Sequence, residues 1–295
     1  MGKKRIFFSF FILLLSIFIV CTHLEAEGKK FEIKITGGIS SLLLGDVNSY
    51  LKDASQYQID NLKPAGYIAE REFENFHAGK DLEITALVSI SERLFFTIST
   101  GYVVAKEEKN TLVLNSSFST LTSTLNHKVK AVPITLGINY TFPLSSNSRV
   151  YLFTGGGFYF SKFSEAGEKL LDLKSGEKGY TKSFSADTKA TGFGCYSGLG
   201  FEFGISKTIS FLIETNARFA KISGFSGTSR SKFNASEYEE AFDLYYYEFF
   251  GSFPENLYKA LNLPDSEHGS RLRVLRDATI DLSGISLKAG LKIGI

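Results

Sequence analysis

Cysteine is scarce and tryptophan is absent in this chain of 295 residues, which contains two cysteines and no Trp. Cys21 lies in an N-terminal apolar segment, so Cys195 alone would remain if that segment were removed. A single thiol forms no intrachain disulfide, which excludes a disulfide-stapled scaffold. Beyond the N-terminal segment, the sequence also lacks an apolar run long enough for a helix that spans a membrane.

The chain has no excess of charge of one sign. Its 33 Lys and Arg residues and 31 Asp and Glu residues give a formal net charge of +2. Lys3, Lys4, Arg5 and Glu25 give residues 1–26 a net charge of +2 by themselves, so the remainder is about neutral. A neutral chain lacks the basic excess that attracts nucleic acid by counterion release, and we expect no nucleic-acid partner.

The N-terminus predicts export. Its three basic residues precede an unbroken apolar run over residues 6–20, and a polar stretch of small residues follows over 22–28. This order is typical of a secretory signal peptide, and the apolar run is shorter than the roughly 20 residues that a spanning helix needs. We predict cleavage after Ala26, leaving one domain of residues 27–295, with lipid attachment at Cys21 as the alternative.

Eight segments of the remaining chain predict β-strands. In the first, Phe31, Ile33 and Ile35 fall on one face of a strand, while Glu32 and Lys34 fall on the other. The same alternation recurs over residues 82–90, 96–104, 132–142, 193–203, 209–219 and 285–295, and residues 149–163 are strand-like with faces that the pattern does not assign. We therefore predict an all-β, antiparallel, eight-stranded fold.

The connections between these segments alternate in length. Short turns are predicted at residues 91–93, 143–148 and 206–208, and long loops at about 45–76, 106–126, 164–189 and 226–277. Short turns at one end and long loops at the other are typical of an up-and-down transmembrane β-barrel. The short turns and termini would then face the periplasm, and the loops would face outward.

Periodicity alone does not say which face of the strands lies inside. A soluble sandwich or a lipocalin-like barrel would place its apolar face inward. Here Gly198, Gly200, Gly290 and Gly294 all fall on the polar face, and small residues suit the crowded concave wall of a narrow barrel. This favours a polar interior and an apolar exterior. Without Trp, the interfacial belt would consist of Tyr and Phe, such as Phe142.

Three segments resemble a known family. Residues 131–142 (AVPITLGINYTF), 151–160 (YLFTGGGFYF) and 280–291 (IDLSGISLKAGL) are similar to strands of the outer-membrane protein β-barrel family, the eight-stranded group with OmpA-, OmpX- and OmpW-like barrels. The resemblance covers the strands and not the long loops. It implies an outer-membrane location and insertion by the barrel-assembly machinery, although members end in an aromatic residue and this chain ends in Ile295.

Charged residues on the predicted inward faces form the largest candidate site. They could line a conduction path, but in a narrow lumen we expect them to pair and fill the space. The members of this predicted lumen network are Glu32, Lys34, Glu83, Glu202, Glu214, Arg218, Lys288 and Lys292. Closure of a barrel would bring Glu32 and Lys34 near Lys288 and Lys292.

No motif in the sequence predicts an enzyme, a metal site or a cofactor. His77, His127 and His268 lack partners at metal-ligand spacing, and the glycines at 155–157 lack the helix and Lys-Ser/Thr pair of a phosphate-binding loop. A barrel enzyme that modifies lipid A, with His127 beside Ser123, is an alternative. We expect no catalysis, no metal and no cofactor.

The last long loop is both aromatic and acidic. Its aromatic residues either form an exposed recognition surface or pack as a lid over the barrel mouth. The candidates for recognition are Tyr245, Tyr246, Tyr247, Phe249 and Phe250. The sequence thus predicts an outer-membrane barrel with a structural or surface-binding role, outer-membrane lipid as its surroundings and an unidentified partner. A narrow channel for small apolar solutes, as the OmpW resemblance implies, is the alternative.

Overall fold

A computed structural model describes residues 30–175, 178–233, 236–250, 257–261 and 272–295. The predicted signal peptide, including Cys21 and Ala26, lies outside this part. The long strands are β1 (Phe31–Leu42), β3 (Ala78–Ser89), β4 (Leu94–Asn115), β5 (Ser119–Pro143), β6 (Ser148–Leu173), β7 (Lys178–Gly204), β8 (Ile209–Ile222) and β15 (Gly284–Gly294). The shorter elements are helix α1 (Asp46–Leu62) and strands β2 (Ile68–Arg71), β9 (Ser226–Phe233), β10 (Ser236–Asp243), β11 (Tyr245–Phe250), β12 (Leu257–Leu261), β13 (Leu272–Asp277) and β14 (Ile280–Asp281).

The long strands close into a ring. Each pairs antiparallel with the long strands before and after it in the chain, and β15 pairs with β1 from Glu32 opposite Gly294 to Leu42 opposite Gly284. The ring of eight up-and-down antiparallel strands confirms the predicted strand number and order. Among the described helices, none is long and apolar enough to cross a membrane.

Two segments that we expected to be loops are paired strand instead. Within these segments, residues 106–115, 119–126, 164–173 and 178–189 form the far ends of the β4–β5 and β6–β7 hairpins, whose strands pair as far as Asn115 opposite Thr120 and Asp172 opposite Lys178. The expectation was wrong because outward residues become polar there, while alternate residues such as Leu112 and Leu125 stay apolar and buried. The alternation therefore continues with its polarity reversed.

Strand β5 shows this reversal most clearly. Its odd-numbered residues face inward along its whole length, with the buried Leu121, Leu125 and Val129 in one half and the buried Thr135 and Asn139 in the other. Outward residues are apolar over 132–142 and polar over 120–130. One half of the ring therefore has a polar inside and an apolar outside, and the other half has the opposite arrangement. We call these the turn end and the helix end of the ring.

Helix α1 lies across the helix end. Val47, Leu51 and Ser55 are buried at a spacing of four residues, which gives the helix one inward face. Gly45 precedes it with φ of 54°, and Gly66 follows it with φ of 80°, conformations that glycine adopts without a steric cost. Residues 46–62 were predicted to belong to a long loop at about 45–76, and this was wrong because they form a helix.

The segment at 226–277 also contains strands rather than a single loop. Strands β9 and β10 extend the ring sheet beyond β7, and β2 pairs with the far end of β4. Strands β12, β11 and β13 form a separate three-stranded sheet. Within the described residues, the helix end therefore consists of strands, helix α1 and the short 3-10 helix Lys63–Ala65.

Candidate functional site

Large apolar side chains are exposed on the outer face of every strand of the ring. At mid-height, Leu136 of β5 is 54% exposed and Phe158 of β6 is 58% exposed. Their counterparts on the other ring strands are Ile35, Leu82, Ile98, Leu199, Ile213 and Leu287. Soluble monomers rarely expose apolar patches beyond about 300–600 Å². A band around the whole ring requires an apolar environment.

The height of this apolar band is measured along β5. Its outward apolar residues begin at Val132 and end at Phe142. Ten residue steps at about 3.3 Å span roughly 33 Å along the strand, or roughly 23–27 Å along the ring axis at a tilt of 35–45°. A transmembrane β-barrel has an apolar band of about 25 Å. The band therefore matches the hydrocarbon core of a bilayer.

Behind the band, the lumen contains paired charges. The Lys34 ammonium lies 2.5 Å from Glu214 Oε1, which also accepts a hydrogen bond of 2.7 Å from the Tyr151 hydroxyl. Glu83 joins two cations, with Lys34 at 4.0 Å and Lys288 at 2.7 Å. These side chains come from β1, β3, β6, β8 and β15, so the pairs connect strands across the lumen.

A second group of charges lies nearer the turn end. The Lys292 ammonium contacts Glu32 Oε2 at 2.9 Å and Glu202 Oε2 at 2.6 Å. A third pair lies towards the helix end, where Arg218 is 3.6 Å from Asp81 and its Nε donates to the Leu282 carbonyl at 2.9 Å. All eight residues of the predicted lumen network thus lie inside the ring and contact an opposite charge.

Aromatic rings fill the lumen beside these charges. Tyr151, Phe153 and Tyr159 of β6 face inward and are buried. The strand register places a glycine of β7 directly opposite each of them, at Gly200, Gly198 and Gly192. At Gly200, an added Cβ would lie 2.3 Å from Cζ of Tyr151. An added Cβ would lie 2.5 Å from the Phe153 ring at Gly198 and 2.8 Å from the Tyr159 ring at Gly194, so glycines of β7 leave the space that these rings occupy.

The remaining space in this part of the lumen is small. A cavity lined by Asp81, Tyr159 and Arg218 measures about 20 Å³, and one lined by Lys34, Tyr151 and Glu202 measures about 10 Å³. A single water molecule needs at least 10–15 Å³ measured in this way. These two cavities therefore have room for about one water each.

At the helix end, α1 closes the ring through contacts on opposite sides. Its first residue, Asp46, accepts hydrogen bonds from Arg276 and from the backbone N–H of Thr279, close to β14 and β8. Near its other end, Gln58 accepts a hydrogen bond of 2.9 Å from Ser123 of β5. Val47 and Leu51 are fully buried in the apolar core between these points. The helix thus plugs the ring.

Beneath this plug, a polar row lies within the apolar core. The register aligns Glu107, His127 and Glu165 on β4, β5 and β6. His127 and Glu165 are buried 3.4 Å apart, and the imidazole lies between the rings of Phe76 and Phe163. Neither ring nitrogen of His127 forms a hydrogen bond. Within the described residues, no group of three or more His, Cys, Asp or Glu side chains is arranged to hold a metal ion.

The other histidines and the cysteine are placed separately. His77 is exposed, and its Nδ1 lies 2.9 Å from the Leu42 carbonyl, whereas His268 lies outside the described residues. Ser123, suggested as a partner for His127, donates instead to Gln58. Cys195 is exposed on the outer face of β7. Ser123 and His127 therefore have different partners, Gln58 and Glu165.

The predicted recognition surface is corrected at one position. Tyr246 is 6% exposed, and the Arg276 guanidinium lies 4.2 Å from the centre of its ring. It is buried because β11 pairs with β13, which turns this residue into the apolar core of the helix end. The backbone of the other four candidates, Tyr245, Tyr247, Phe249 and Phe250, also lies in β11, and their side chains lie outside the described part.

Three features of the lumen and plug were missed in the sequence. Asp81 immediately precedes the predicted strand at residues 82–90 and was therefore not included among the inward charges. The inward aromatics of β6 were left unassigned because both faces of that strand carry rings; the glycines opposite them on β7 are the signal that could have resolved the faces. The inward face of α1 at Val47, Leu51 and Ser55 was hidden by a polar surrounding sequence.

No family profile and no curated protein sequence matches the chain. Among solved structures, it is similar to a major outer membrane protein from Thermus thermophilus, at 10% sequence identity and a TM-score of 0.40. The similarity covers 90% of this chain and 99% of that one.

Proposed function

We propose that this chain is an integral outer-membrane β-barrel with a closed lumen, which acts through the structure that it presents outside the membrane. The observation that supports this most directly is the apolar band on all eight ring strands, backed by a charged lumen. A closed ring leaves no strand edge unpaired in lipid, which is the condition for spanning a membrane with strands. The predicted signal peptide agrees with export.

A structural or binding role is favoured over a channel because the path through the ring is filled. Paired charges and aromatic rings occupy the lumen, and α1 occupies the helix end. A solute would have to displace both. We expect no catalysis. The partners would be outer-membrane lipid, the barrel-assembly machinery during biogenesis, and a molecule that binds to the helix end.

The membrane location is tested by fractionation and by labelling. The chain should stay in the membrane pellet after carbonate extraction, and the detergent-folded protein should migrate differently on a gel with and without heating. In a Cys195→Ser background, a photoreagent confined to the acyl phase should label a cysteine placed at Leu136 and not one placed at Thr124, which lies outward on the same strand. Carbonate release without a heat-shifted band would overturn the proposal.

The closed lumen is tested separately. In planar bilayers, the folded protein should show no conductance above the lipid background. Steady conductance by a barrel that still shows the heat-shifted band would support the channel alternative, while leaving the membrane location intact. Removal of acyl chains from lipid A by the purified protein would instead support the enzyme alternative.

A further inference from the structure

Lysines are concentrated on the outer wall just above the apolar band. On β5 and β6, the last outward apolar residues are Val132 and Phe160, and two residues further along each strand stand Lys130 and Lys162. These two lysines are direct cross-strand partners. The change from apolar to cationic therefore occurs at the same height on both strands.

The same row continues on both sides. Lys162 also faces Lys189 of β7 across the sheet, and Lys128 of β5 faces Lys106 of β4. We call Lys128, Lys130, Lys162 and Lys189 the lysine row. Lys128 and Lys130 also lie two residues apart on the same outward face of β5.

Like charges directly opposite one another destabilise a sheet. One acidic side chain relieves the row, since Asp187 lies 2.8 Å from Lys162 and accepts a hydrogen bond of 2.6 Å from Ser164. The charges of the lumen do not help, because they lie on the opposite face of the strands. A row of cations kept together on an outer wall indicates an anionic ligand.

Its position favours lipid over a soluble anion. The row borders the apolar band directly, so the lysine stems can lie along the band while their ammonium groups reach the headgroup level. Tyr102 of β4 is exposed at the same edge, in the amphipathic position that Tyr prefers at a membrane surface. We propose that the lysine row binds the phosphate groups of anionic lipids in the leaflet at the helix end. This inference rests on the proposed membrane location.

The test uses the full chain folded in neutral detergent micelles. Native mass spectrometry would compare the retention of phosphatidic acid and of phosphatidylcholine with the same acyl chains. We expect phosphatidic acid to be retained at least about fivefold better. Lys130→Gln/Lys162→Gln should lower its affinity roughly tenfold to thirtyfold, given about fivefold for each lysine at an anionic surface.

The chain offers a control with the same loss of charge. Lys52 of α1 and Lys63, just after that helix, are exposed and belong to the plug rather than to the outer wall beside the apolar band. Lys52→Gln/Lys63→Gln should leave the preference unchanged. Asp187→Asn, which removes an anion that competes for Lys162, should increase phosphatidic acid binding severalfold.

Three results would overturn the inference. They are equal retention of the two lipids, equal losses in the two double variants, and binding of heparin in lipid-free micelles that phosphatidic acid does not displace. The last would assign the row to a soluble polyanion. If the folded protein keeps its heat-shifted band but shows no lipid preference, this inference fails alone. If no folded band forms, the proposed membrane location fails first.

Discussion

Asp46 and Arg276 lie 230 residues apart in the sequence and are joined by two hydrogen bonds of 2.8 Å, each from one terminal guanidinium nitrogen to one carboxylate oxygen. The pair ties the first turn of α1 to the end of β13. Its carboxylate also lies where the partial positive charge of a helix N-terminus favours an anion. One side-chain pair thus holds the plug to the separate three-stranded sheet of the helix end.

Asp46→Asn should loosen the plug. The variant loses a bidentate charged contact and a favourable helix-end charge, and we expect the free energy of unfolding to fall by about 1–3 kcal/mol. Urea unfolding of the micelle-folded protein, followed by the heat-shifted band, measures the change. Lys52→Gln, at an exposed position of the same helix, is the matched control, and equal losses in the two variants would contradict the role of the pair.

Lys34→Met should strongly destabilise the lumen. The buried Glu214 would lose its cation at 2.5 Å, and removing one partner of a buried pair costs about 3–5 kcal/mol. The double variant Lys34→Met/Glu214→Met leaves neither charge unpaired and should lose less than the single variant. If the double variant is the less stable one in urea unfolding, the cost of the single variant does not come from leaving the Glu214 charge unpaired.

Gly200→Ala should cost about 1–3 kcal/mol through overpacking. The new Cβ would meet Cζ of the Tyr151 ring at 2.3 Å, and that ring is held by its hydrogen bond to Glu214. Gly37→Ala serves as control, because its Cβ would have ordinary contacts at 3.6 and 3.7 Å. The unfolding midpoints of the two variants in the same micelles provide the comparison.

Leu136→Arg and Thr124→Arg should differ although both positions face outward on β5. An Arg at the middle of the apolar band costs about 2–4 kcal/mol in a transmembrane barrel, and one near or beyond the interface costs about 0–1 kcal/mol. Folding into phospholipid vesicles at a series of urea concentrations measures both. Equal costs would mean that the two halves of β5 face the same solvent.

Glu107→Gln should stabilise the protein at high pH and leave it unchanged at low pH. Burial raises the pKa of Glu107 above its ordinary value of 4.5, and Glu74 contributes to the same effect. A raised carboxyl pKa means that stability is fully present below pH 4.5 and is lost as the pH rises through the folded-state pKa. Thermal unfolding at about pH 4 and about pH 8 checks this: a gain at the higher pH alone is expected, and a gain at both would point to a packing effect.

The alternation in the sequence predicted the ring strands well where the two faces differ in polarity. Val132 to Phe142 against Thr135 and Asn139 is unambiguous, and the structure places these residues on the two faces accordingly. The sequence failed where polarity reverses. Beyond Val132, outward polar residues resembled a loop, although Leu121, Leu125 and Val129 kept the two-residue period on the inner face.

The alternation along each strand predicted which charged residues lie in the lumen. It did not predict which of them pair with one another. Lys34 is the cross-strand neighbour of Lys292, yet it binds Glu214 of β8, which is not adjacent to β1 in the ring. Such contacts form between side chains that extend across the lumen. The alternation of a single sequence shows which side chains face inward, but not which of them meet. The same reason explains why the contact between Asp46 and Arg276 was missed.

The reversal of polarity along β5 has a consequence for how pairing errors are rejected. A slip of one residue would turn every side chain of the strand to the other face. Leu136 would then face the charged lumen, and at the same time Leu125 would move from the apolar core into water. Both halves of the strand would therefore destabilise the shifted register, so the pairing of a single hairpin is specified twice.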